Sequence, residues 1–397
     1  MPASSIYIHL PFCKTKCPYC DFASFAKEDD KRQRYIDALC SEIDQRMLQW
    51  DLRDVEIKTI FFGGGTPSVH SRAELEQIFS KLKQWFKILN SAEITLEANP
   101  GTIDRAKLEQ FIELGINRIS FGAQSFDPDL LEKLGRGHSV EDSIRFASVL
   151  NRHCKEERRS NPVDQQSLST GLLHCVRNDG RLASWSLDLI YGLPGQSLES
   201  WQQSLEQALE FSPPHISAYC LSIEANTPYG KIYGDSSHQD LPQETKLIEM
   251  YELANEKFKA AGLERYEISN WAKPGHEARH NLVYWRGQEY FAFGLSAHGY
   301  IDSLRYANTR ELEQYLAGIF EQESSKIGTQ EKLEEKILLG LRLAEGLSLN
   351  QELNAAINQA KLQELKNTGF IEGQNLIKLS DKAQLVSNRV IAELCYH

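Results

Sequence analysis

The segment Ile6-Tyr-Ile-His-Leu-Pro-Phe-Cys13-Lys-Thr-Lys-Cys17-Pro-Tyr-Cys20 decides the fold of this chain, because it joins a short apolar run to three closely spaced cysteines. Three thiolates at this spacing can hold three of the four irons of a cubane iron–sulfur cluster. The remaining iron then stays open to a small ligand. The segment therefore predicts a [4Fe-4S] cluster with Cys13, Cys17 and Cys20 as its metal ligands.

Two other interpretations of these cysteines are weaker. Their spacing would place them along one face of a helix, as part of a packed core. Pro18 disfavours that helix, because a proline inside a helix costs about 3 kcal/mol. A structural zinc site needs four protein ligands, usually as two close pairs, and the sequence has no second pair nearby.

The composition predicts a cytoplasmic protein. The chain has 397 residues, 41% of them hydrophobic, which is enough for one large domain with a smaller companion. A net charge of −11 disfavours a nucleic-acid partner. The N-terminus resembles no signal peptide, and no apolar run approaches the ~20 residues of a membrane span. The other cysteines are scattered, as expected for inert thiols in a reducing compartment: Cys40, Cys154, Cys175, Cys220 and Cys395.

Short β-rich runs alternate with longer amphipathic stretches, which predicts repeated βα units. The expected helices include Gln33 to Trp50, Ala73 to Phe86 and Leu198 to Leu209. Parallel strands joined by crossover helices would form a partial or complete barrel. The expected strands are Ile6 to Leu10, Ile57 to Phe62, Glu93 to Glu97, Arg118 to Phe121, Leu187 to Tyr191 and Ile216 to Leu221.

Polar groups follow these strands at the end where barrel active sites lie. The second strand leads into Gly63-Gly64-Gly65-Thr66-Pro67, which alone predicts a tight turn but above a cysteine loop favours a ligand site. Each of the charged residues could instead cap a helix or be solvated. Taken together, carboxylates, an amide and a guanidinium suit a ligand with a ribose, an amine and a carboxylate. These residues are Glu97, Gln124, Arg136 and Asp188.

At this point a family resemblance is plain. Cys-x3-Cys-x2-Cys, Gly-Gly-Gly-Thr-Pro, Glu-Ala-Asn-Pro and Asp-Leu-Ile-Tyr-Gly-Leu-Pro-Gly resemble the radical S-adenosylmethionine (SAM) proteins of the oxygen-independent coproporphyrinogen III oxidase family. The resemblance covers nearly the whole chain. It implies a partial (β/α)6 TIM-like barrel with a smaller C-terminal α+β domain. It also implies a SAM site lined by Tyr7, Gly64, Gly65, Thr66, Glu97, Gln124, Arg136 and Asp188.

The resemblance also implies a chemistry. The amine and carboxylate of SAM would chelate the open iron. One electron from the reduced cluster would then cleave the sulfonium to methionine and a deoxyadenosyl radical. An electron donor is therefore an expected partner.

Two features favour one branch of this family. The true oxidases carry a longer N-terminal arm and commonly a further cysteine where this chain has Phe22, and twelve residues precede Cys13 here. His280-Asn-Leu-Val-Tyr284-Trp285 resembles the His-Asn-x-x-Tyr-Trp motif of the HemW haem chaperones. A neutral imidazole can ligate haem iron and the two aromatic rings can face a porphyrin, although a core histidine with packed aromatics is the alternative.

The favoured function is therefore a haem chaperone that binds the cluster, SAM and haem and transfers haem to an acceptor protein. It would meet a membrane only through such an acceptor. The alternative is an enzyme, an oxygen-independent coproporphyrinogen III dehydrogenase that converts two propionates to vinyl groups by oxidative decarboxylation.

Changes of pattern predict three regions. Residues 1–240 would form the barrel core, and 241–329 would complete the barrel and carry the haem motif. Residues 330–397 would form a winged-helix-like module with a hairpin near Gly369 to Leu379, whose many acids disfavour DNA as a ligand. A polar insert at about 152–182 is expected to be a surface loop.

Overall fold

A computed structural model describes residues 3–160, 182–235 and 238–395 of the chain. The strands are, in chain order, β1 (Ser5–Leu10), β2 (Phe12–Cys13), β3 (Phe25–Ala26), β4 (Val55–Gly64), β5 (Phe86–Ala98), β6 (Arg118–Gln124), β7 (Ser184–Tyr191), β8 (His215–Cys220), β9 (Glu264–Glu267), β10 (Asn270–Ala272), β11 (Phe291–Phe293), β12 (His298–Ile301), β13 (Leu304–Asn308), β14 (Glu321–Lys326), β15 (Leu347–Ser348), β16 (Ile371–Glu372) and β17 (Leu376–Leu379). The helices are α1 (Arg32–Gln49), α2 (Arg72–Trp85), α3 (Arg105–Glu113), α4 (Pro128–Lys133), α5 (Val140–Ser160), α6 (Leu198–Glu210), α7 (Pro228–Tyr233), α8 (Glu244–Ala260), α9 (Arg279–Trp285), α10 (Leu312–Leu316), α11 (Thr329–Gly340), α12 (Gln351–Ala356), α13 (Gln359–Asn367) and α14 (Ser387–Cys395).

One large sheet organises the molecule, with the strand order β11-β1-β4-β5-β6-β7-β8-β10-β9. From β11 to β8 every neighbouring pair is parallel, whereas β10 and β9 add to the far edge in antiparallel orientation. The six strands expected from the sequence lie side by side in chain order, and in the part of the chain that the structure describes the end strands β11 and β9 do not pair with each other. This arrangement confirms the predicted partial barrel.

The helices form where the sequence supplies both an apolar face and a cap. At the start of α2, the Ser71 hydroxyl accepts the Glu74 amide at 3.3 Å and the Glu74 carboxylate accepts the Ser71 amide at 2.6 Å, which is a capping box. The buried face of α2, with Leu75, Ile78 and Leu82, belongs to the main hydrophobic core. Within the described residues, no helix combines the length and apolar character that a bilayer crossing requires.

The predicted loop at 152–182 is wrong in its first part. Residues 152–160 continue α5, whose charged sequence still supports a helix because straight-chain Glu, Lys and Arg have high helix propensity. The polar sequence that suggested a loop is therefore, up to Ser160, part of a helix. The rest of the expected loop, with Pro162 and Cys175, lies outside the described residues up to Leu182.

The C-terminal region has a core of its own. Residues such as Ile337, Leu353, Ile377 and Ile391 form a second hydrophobic cluster. The predicted hairpin is confirmed, since β16 and β17 pair in antiparallel orientation and β15 joins β17 from the other side. The segment 241–329 supplies β9, β10 and β11 to both edges of the large sheet. The domain boundaries themselves stay a prediction.

Candidate functional site

A cavity of about 670 Å³ runs through the interior of the partial barrel. Its lining includes both the first and the last residue of β6, Arg118 and Gln124, and of β8, His215 and Cys220. The cavity therefore extends along the length of these strands, about 20 Å at 3.3 Å per residue. Its volume suits a cofactor or drug-sized ligand.

Most of the residues predicted for the site line this one cavity. They are Cys13, Cys17, Cys20, Gly64, Gly65, Thr66, Glu97, Gln124, Arg136, Asp188 and His280. Tyr7 is the predicted site residue that does not contribute to the lining. Its ring stacks on Phe61, which does line the cavity, and its hydroxyl lies 3.0 Å from Nδ1 of His9. Tyr7 is partly exposed and lies beside this wall, and its contact with SAM stays a prediction.

The cysteine loop is a short strand followed by a turn. Cys13 lies in β2, which pairs with β3, and the Cys20 amide donates to the Cys17 carbonyl at 3.1 Å. The helical interpretation is therefore wrong. Burial raises the pKa of the Cys13 and Cys20 thiols, and the Thr66 hydroxyl donates to the Cys13 sulfur at 3.4 Å. Over the described ranges, no three His, Cys, Asp or Glu side chains are grouped to hold a single metal ion.

The glycine run holds the cysteine loop against the barrel. The Gly65 amide donates to Leu10 O and the Thr66 amide to Phe12 O, both at 2.9 Å. A Cβ added at Gly65 would lie 2.7 Å from the carbonyl carbon of Pro11. The run is therefore more than a simple turn, and its predicted contact with a ligand stays a prediction, although Gly64, Gly65 and Thr66 line the cavity. The glycines allow the backbone after β4 to pack directly against the backbone of residues 10–12.

Arg136 connects the cysteine loop to the sheet. Its Nη2 donates to Asn99 Oδ1 at 2.6 Å and to Gly122 O at 2.9 Å. Its Nη1 lies 3.7 Å from the sulfur of Cys17 and 3.5 Å from the Tyr19 hydroxyl. The alternative of an ordinary solvated charge does not fit these contacts. The predicted contact with a ligand carboxylate stays a prediction, because the protein itself engages both terminal nitrogens.

The two predicted carboxylates face the cavity rather than cap helices. Oε2 of Glu97 accepts the Gly64 amide at 3.1 Å. Burial, and then the nearby Asp188 carboxylate, raises the pKa of Glu97 to about 8. Burial also raises the pKa of Asp188, although three hydroxyls oppose that effect. They donate to its carboxylate from Ser120 at 2.7 Å, Ser186 at 2.8 Å and Ser217 at 2.7 Å.

Four buried polar atoms along the cavity have no partner among the described residues. They are Oγ of Ser24, Oε1 of Gln124, Nη2 of Arg118 and Oγ1 of Thr95, and all four residues line the cavity. Buried polar groups are normally hydrogen-bonded, so these atoms suit a polar ligand. Together with the carboxylates, they fit a molecule such as SAM, with hydroxyls, an amine and a polar base.

His280 lies in α9 and is completely buried. Its Nδ1 lies 2.8 Å from the Thr59 hydroxyl, and its Nε2 lies 2.9 Å from the Tyr284 hydroxyl. Burial lowers the pKa of His280 to about 3, so the ring is neutral. A neutral imidazole can bind iron, but here both nitrogens already have partners. Haem ligation by His280 stays a prediction, and it requires the release of one hydrogen bond.

Several residues of the cavity wall were not predicted from the sequence. The inner faces of β6 and β7 carry Ser120, four positions before Gln124, and Ser186, two positions before Asp188, so the alternation of a strand places them on the same side as the predicted residues. That period of two could have identified them. Cys220, expected to be inert, also lines the cavity, but no local spacing distinguishes it.

The fold and the site define a class of protein. An open parallel barrel with three cysteines after its first strand is the arrangement of radical SAM proteins, and the family model described as the radical SAM superfamily matches residues 7–159. The coproporphyrinogen III oxidase (HemN) from Escherichia coli, a radical SAM enzyme of known structure, has the same fold. It superposes with a TM-score of 0.79 over 98% of this chain and 89% of that one, at 20% identity.

Two relatives define the family more closely. Heme chaperone HemW of Bacillus subtilis (strain 168) is 33% identical over 97% of each chain. Heme chaperone HemW of Escherichia coli (strain K12) is 36% identical over 87% of this chain and 84% of that protein. The chain belongs to the HemW family.

Proposed function

We propose that this protein is a radical SAM haem chaperone, which binds a [4Fe-4S] cluster, SAM and haem and transfers haem to an acceptor protein. The observation that carries the proposal is the 33% identity, over 97% of both chains, to a protein named as a heme chaperone. The cavity supports it, because the three motif cysteines and all the expected SAM ligands except Tyr7 line the same cavity. An electron donor would complete the system.

The residues of the cavity form two groups, which we call the mouth, next to the cysteine loop, and the interior, around Glu97 and Asp188. At the mouth, Cys13, Cys17 and Cys20 would hold the cluster, and Arg136 and Thr66 would donate to the sulfurs of Cys17 and Cys13 and so tune the potential. When bound, the cluster and SAM supply one-electron cleavage of a sulfonium.

In the interior, Glu97 and Asp188 offer carboxylate oxygens to hydroxyls or an amine, and Gln124 offers an unpartnered amide oxygen. The barrel wall would exclude bulk water from these groups. That exclusion strengthens each hydrogen bond to the ligand, because the local dielectric constant is low.

The cluster is tested by anaerobic reconstitution with iron and sulfide, followed by iron analysis and absorption spectroscopy. We expect Cys17→Ser to lose the cluster, since an alcohol is a poor iron ligand compared with a thiolate. Cys220→Ser, which also removes a thiol from the cavity wall, is the matched control and should load normally. A cluster retained in Cys17→Ser, or lost in Cys220→Ser, would contradict the proposed ligand set.

Haem binding is tested by titration of the reconstituted protein. We expect His280→Ala to weaken haem binding by tenfold or more, about 1.4 kcal/mol, and to leave the cluster spectrum intact. Tyr284→Phe keeps the aromatic face but frees Nε2 of His280, so it should bind haem at least as well as the wild type. His298→Ala, at an exposed histidine, is the control. If His280→Ala binds haem as tightly as the wild type, His280 is not the iron ligand.

The same preparation separates a chaperone from an enzyme. Under anaerobic conditions with reductant and SAM, the wild-type protein should form no protoporphyrinogen from coproporphyrinogen III. Formation of that product at a catalytic rate would favour the dehydrogenase alternative. Haem transfer to an apo-acceptor, followed by its absorption spectrum, measures the proposed activity directly.

A further inference from the structure

A chain of hydrogen bonds crosses the barrel from the predicted SAM site to the predicted haem motif. It begins at Asp188, where the Ser186 hydroxyl donates to Oδ1 at 2.8 Å. The Ser186 oxygen lies 2.8 Å from Nδ1 of His215, and Nε2 of His215 lies 2.9 Å from the Tyr266 hydroxyl. The Tyr266 oxygen accepts the side-chain amide of Asn281 at 3.5 Å.

The donors of this chain all point in one direction. Because the Ser186 hydroxyl donates to Asp188, its oxygen must accept from Nδ1–H of His215. Burial holds the pKa of His215 well below its usual value, so the ring is neutral and Nε2 accepts from the Tyr266 hydroxyl. The Tyr266 oxygen is then left to accept from α9. A consistent polarity lets each bond strengthen the next.

The chain ends at the first residues of α9. The Tyr266 oxygen also accepts the backbone amide of Ala278 at 3.4 Å, and Ala278 is the N-cap residue of this helix. Ala278 and Asn281 both line the cavity. The helix that carries the predicted haem motif is therefore connected, through the side chains of Tyr266, His215 and Ser186, to a carboxylate at the predicted SAM site.

We propose that His215 and Tyr266 are positioning residues that link ligand binding at Asp188 to the stability of α9. A ligand that donates to Asp188 favours the ionised carboxylate, which is a stronger acceptor for Ser186. The strengthened chain then holds the N-terminus of α9 more firmly. By reciprocity, an α9 released from Tyr266 weakens binding at Asp188. The linkage rests on the SAM site of the proposed function but requires no haem.

The test uses the full chain with its cluster reconstituted and SAM as the probe. Two quantities are measured, the dissociation constant of SAM and the hydrogen exchange of backbone amides 279–285 with and without SAM. In the wild type, we expect SAM to slow this exchange about three- to tenfold, the range of one net hydrogen bond. In Tyr266→Phe, the slowing should vanish and the dissociation constant should rise by a similar factor.

Two further variants separate the linkage from a general loss of stability. Tyr251→Phe removes a buried hydroxyl that donates to Ile268 O at 3.1 Å and is outside the chain, so it should keep the SAM effect on α9. His215→Asn can still donate to Ser186 but cannot reach Tyr266. If both residues act through one chain, the effects of His215→Asn and Tyr266→Phe on the dissociation constant should not multiply in the double variant.

The outcomes are distinct. Slowing of α9 exchange by SAM in Tyr266→Phe as large as in the wild type would overturn the linkage and leave the proposed function standing. Multiplicative effects in the double variant would overturn it as well. A wild-type protein that loads its cluster and does not bind SAM would overturn the proposed SAM site and the linkage together.

Discussion

Gly65 illustrates how one residue positions the cluster loop. It follows β4, and its amide is hydrogen-bonded to the end of β1, so the two backbones lie in contact just before the first cysteine. The absence of a side chain is what permits this, because the nearest atoms to a Cβ there are backbone atoms of Pro11 and Phe12 at 2.7 and 2.8 Å. Backbone atoms cannot turn aside as a flexible side chain can.

Gly65→Ala should therefore displace the cysteine loop. We expect the free energy of unfolding to fall by about 1–3 kcal/mol, the usual cost of overpacking, and the iron content after reconstitution to fall with it. Urea unfolding and iron analysis measure the two effects. Gly137→Ala is the control, since a Cβ there meets its nearest neighbour, the Thr15 hydroxyl, at 3.6 Å. Wild-type stability and iron content in Gly65→Ala would show that the loop accommodates the methyl group.

At the scale of elements, α9 shows what sequence patterns convey and what they omit. The pattern His-Asn-x-x-Tyr-Trp indicated a functional segment, and α9 does contribute to the cavity wall. It did not indicate how the helix is held. Ala278 offers no side-chain cap, and the Glu93 carboxylate from β5 accepts the amides of Arg279 at 3.2 Å and His280 at 2.9 Å instead. A cap contributed from so far along the chain has no local signature.

Glu93→Gln should destabilise the N-terminus of α9. The substituted amide has one acceptor oxygen in place of two and lacks the negative charge that favours a helix N-terminus. We expect faster hydrogen exchange at residues 279–285 and a loss of about 1.5–3 kcal/mol of stability, since the lost bonds involve a charged acceptor. Glu331→Gln, in the exposed first turn of α11, is the control. If exchange in α9 is unchanged in Glu93→Gln, the carboxylate does not cap this helix.

For the whole molecule, the barrel was largely predictable and its interior was not. The central strands follow chain order, and each is long enough to show its pattern locally. The edge strands β9, β10 and β11 have three or four residues each, which is too short to show a period. β11 and β10 join the sheet by pairing with the distant strands β1 and β8, and β9 is added through β10. The carboxylates were found from their position at strand ends. The strand period could have indicated Ser120 and Ser186, but the convergence of Ser120, Ser186 and Ser217 on Asp188 required the register between β6, β7 and β8.

That interior places acidic groups where water is scarce, which makes the stability of the unliganded protein depend on pH. The pKa of Glu97 is about 8 in the fold, compared with about 4.5 in an unfolded chain. The neutral carboxyl is thus favoured by folding. Its stabilising contribution is complete below pH 4.5 and is lost as the pH rises through 8, by at most about 1.4 kcal/mol per pH unit.

Glu97→Gln removes this titration and keeps the shape of the side chain. Without cluster or SAM, the variant should therefore gain stability relative to the wild type as the pH rises from 5 to 8, and it should bind SAM more weakly because it lacks the carboxylate. Urea unfolding at pH 5, 6.5 and 8 measures the difference, with the exposed Glu323→Gln as control. If the free energy of unfolding changes with pH in the same way in Glu97→Gln and the wild type, water in the cavity already hydrates the ionised Glu97. The barrel would then enclose its ligand less tightly than its geometry indicates.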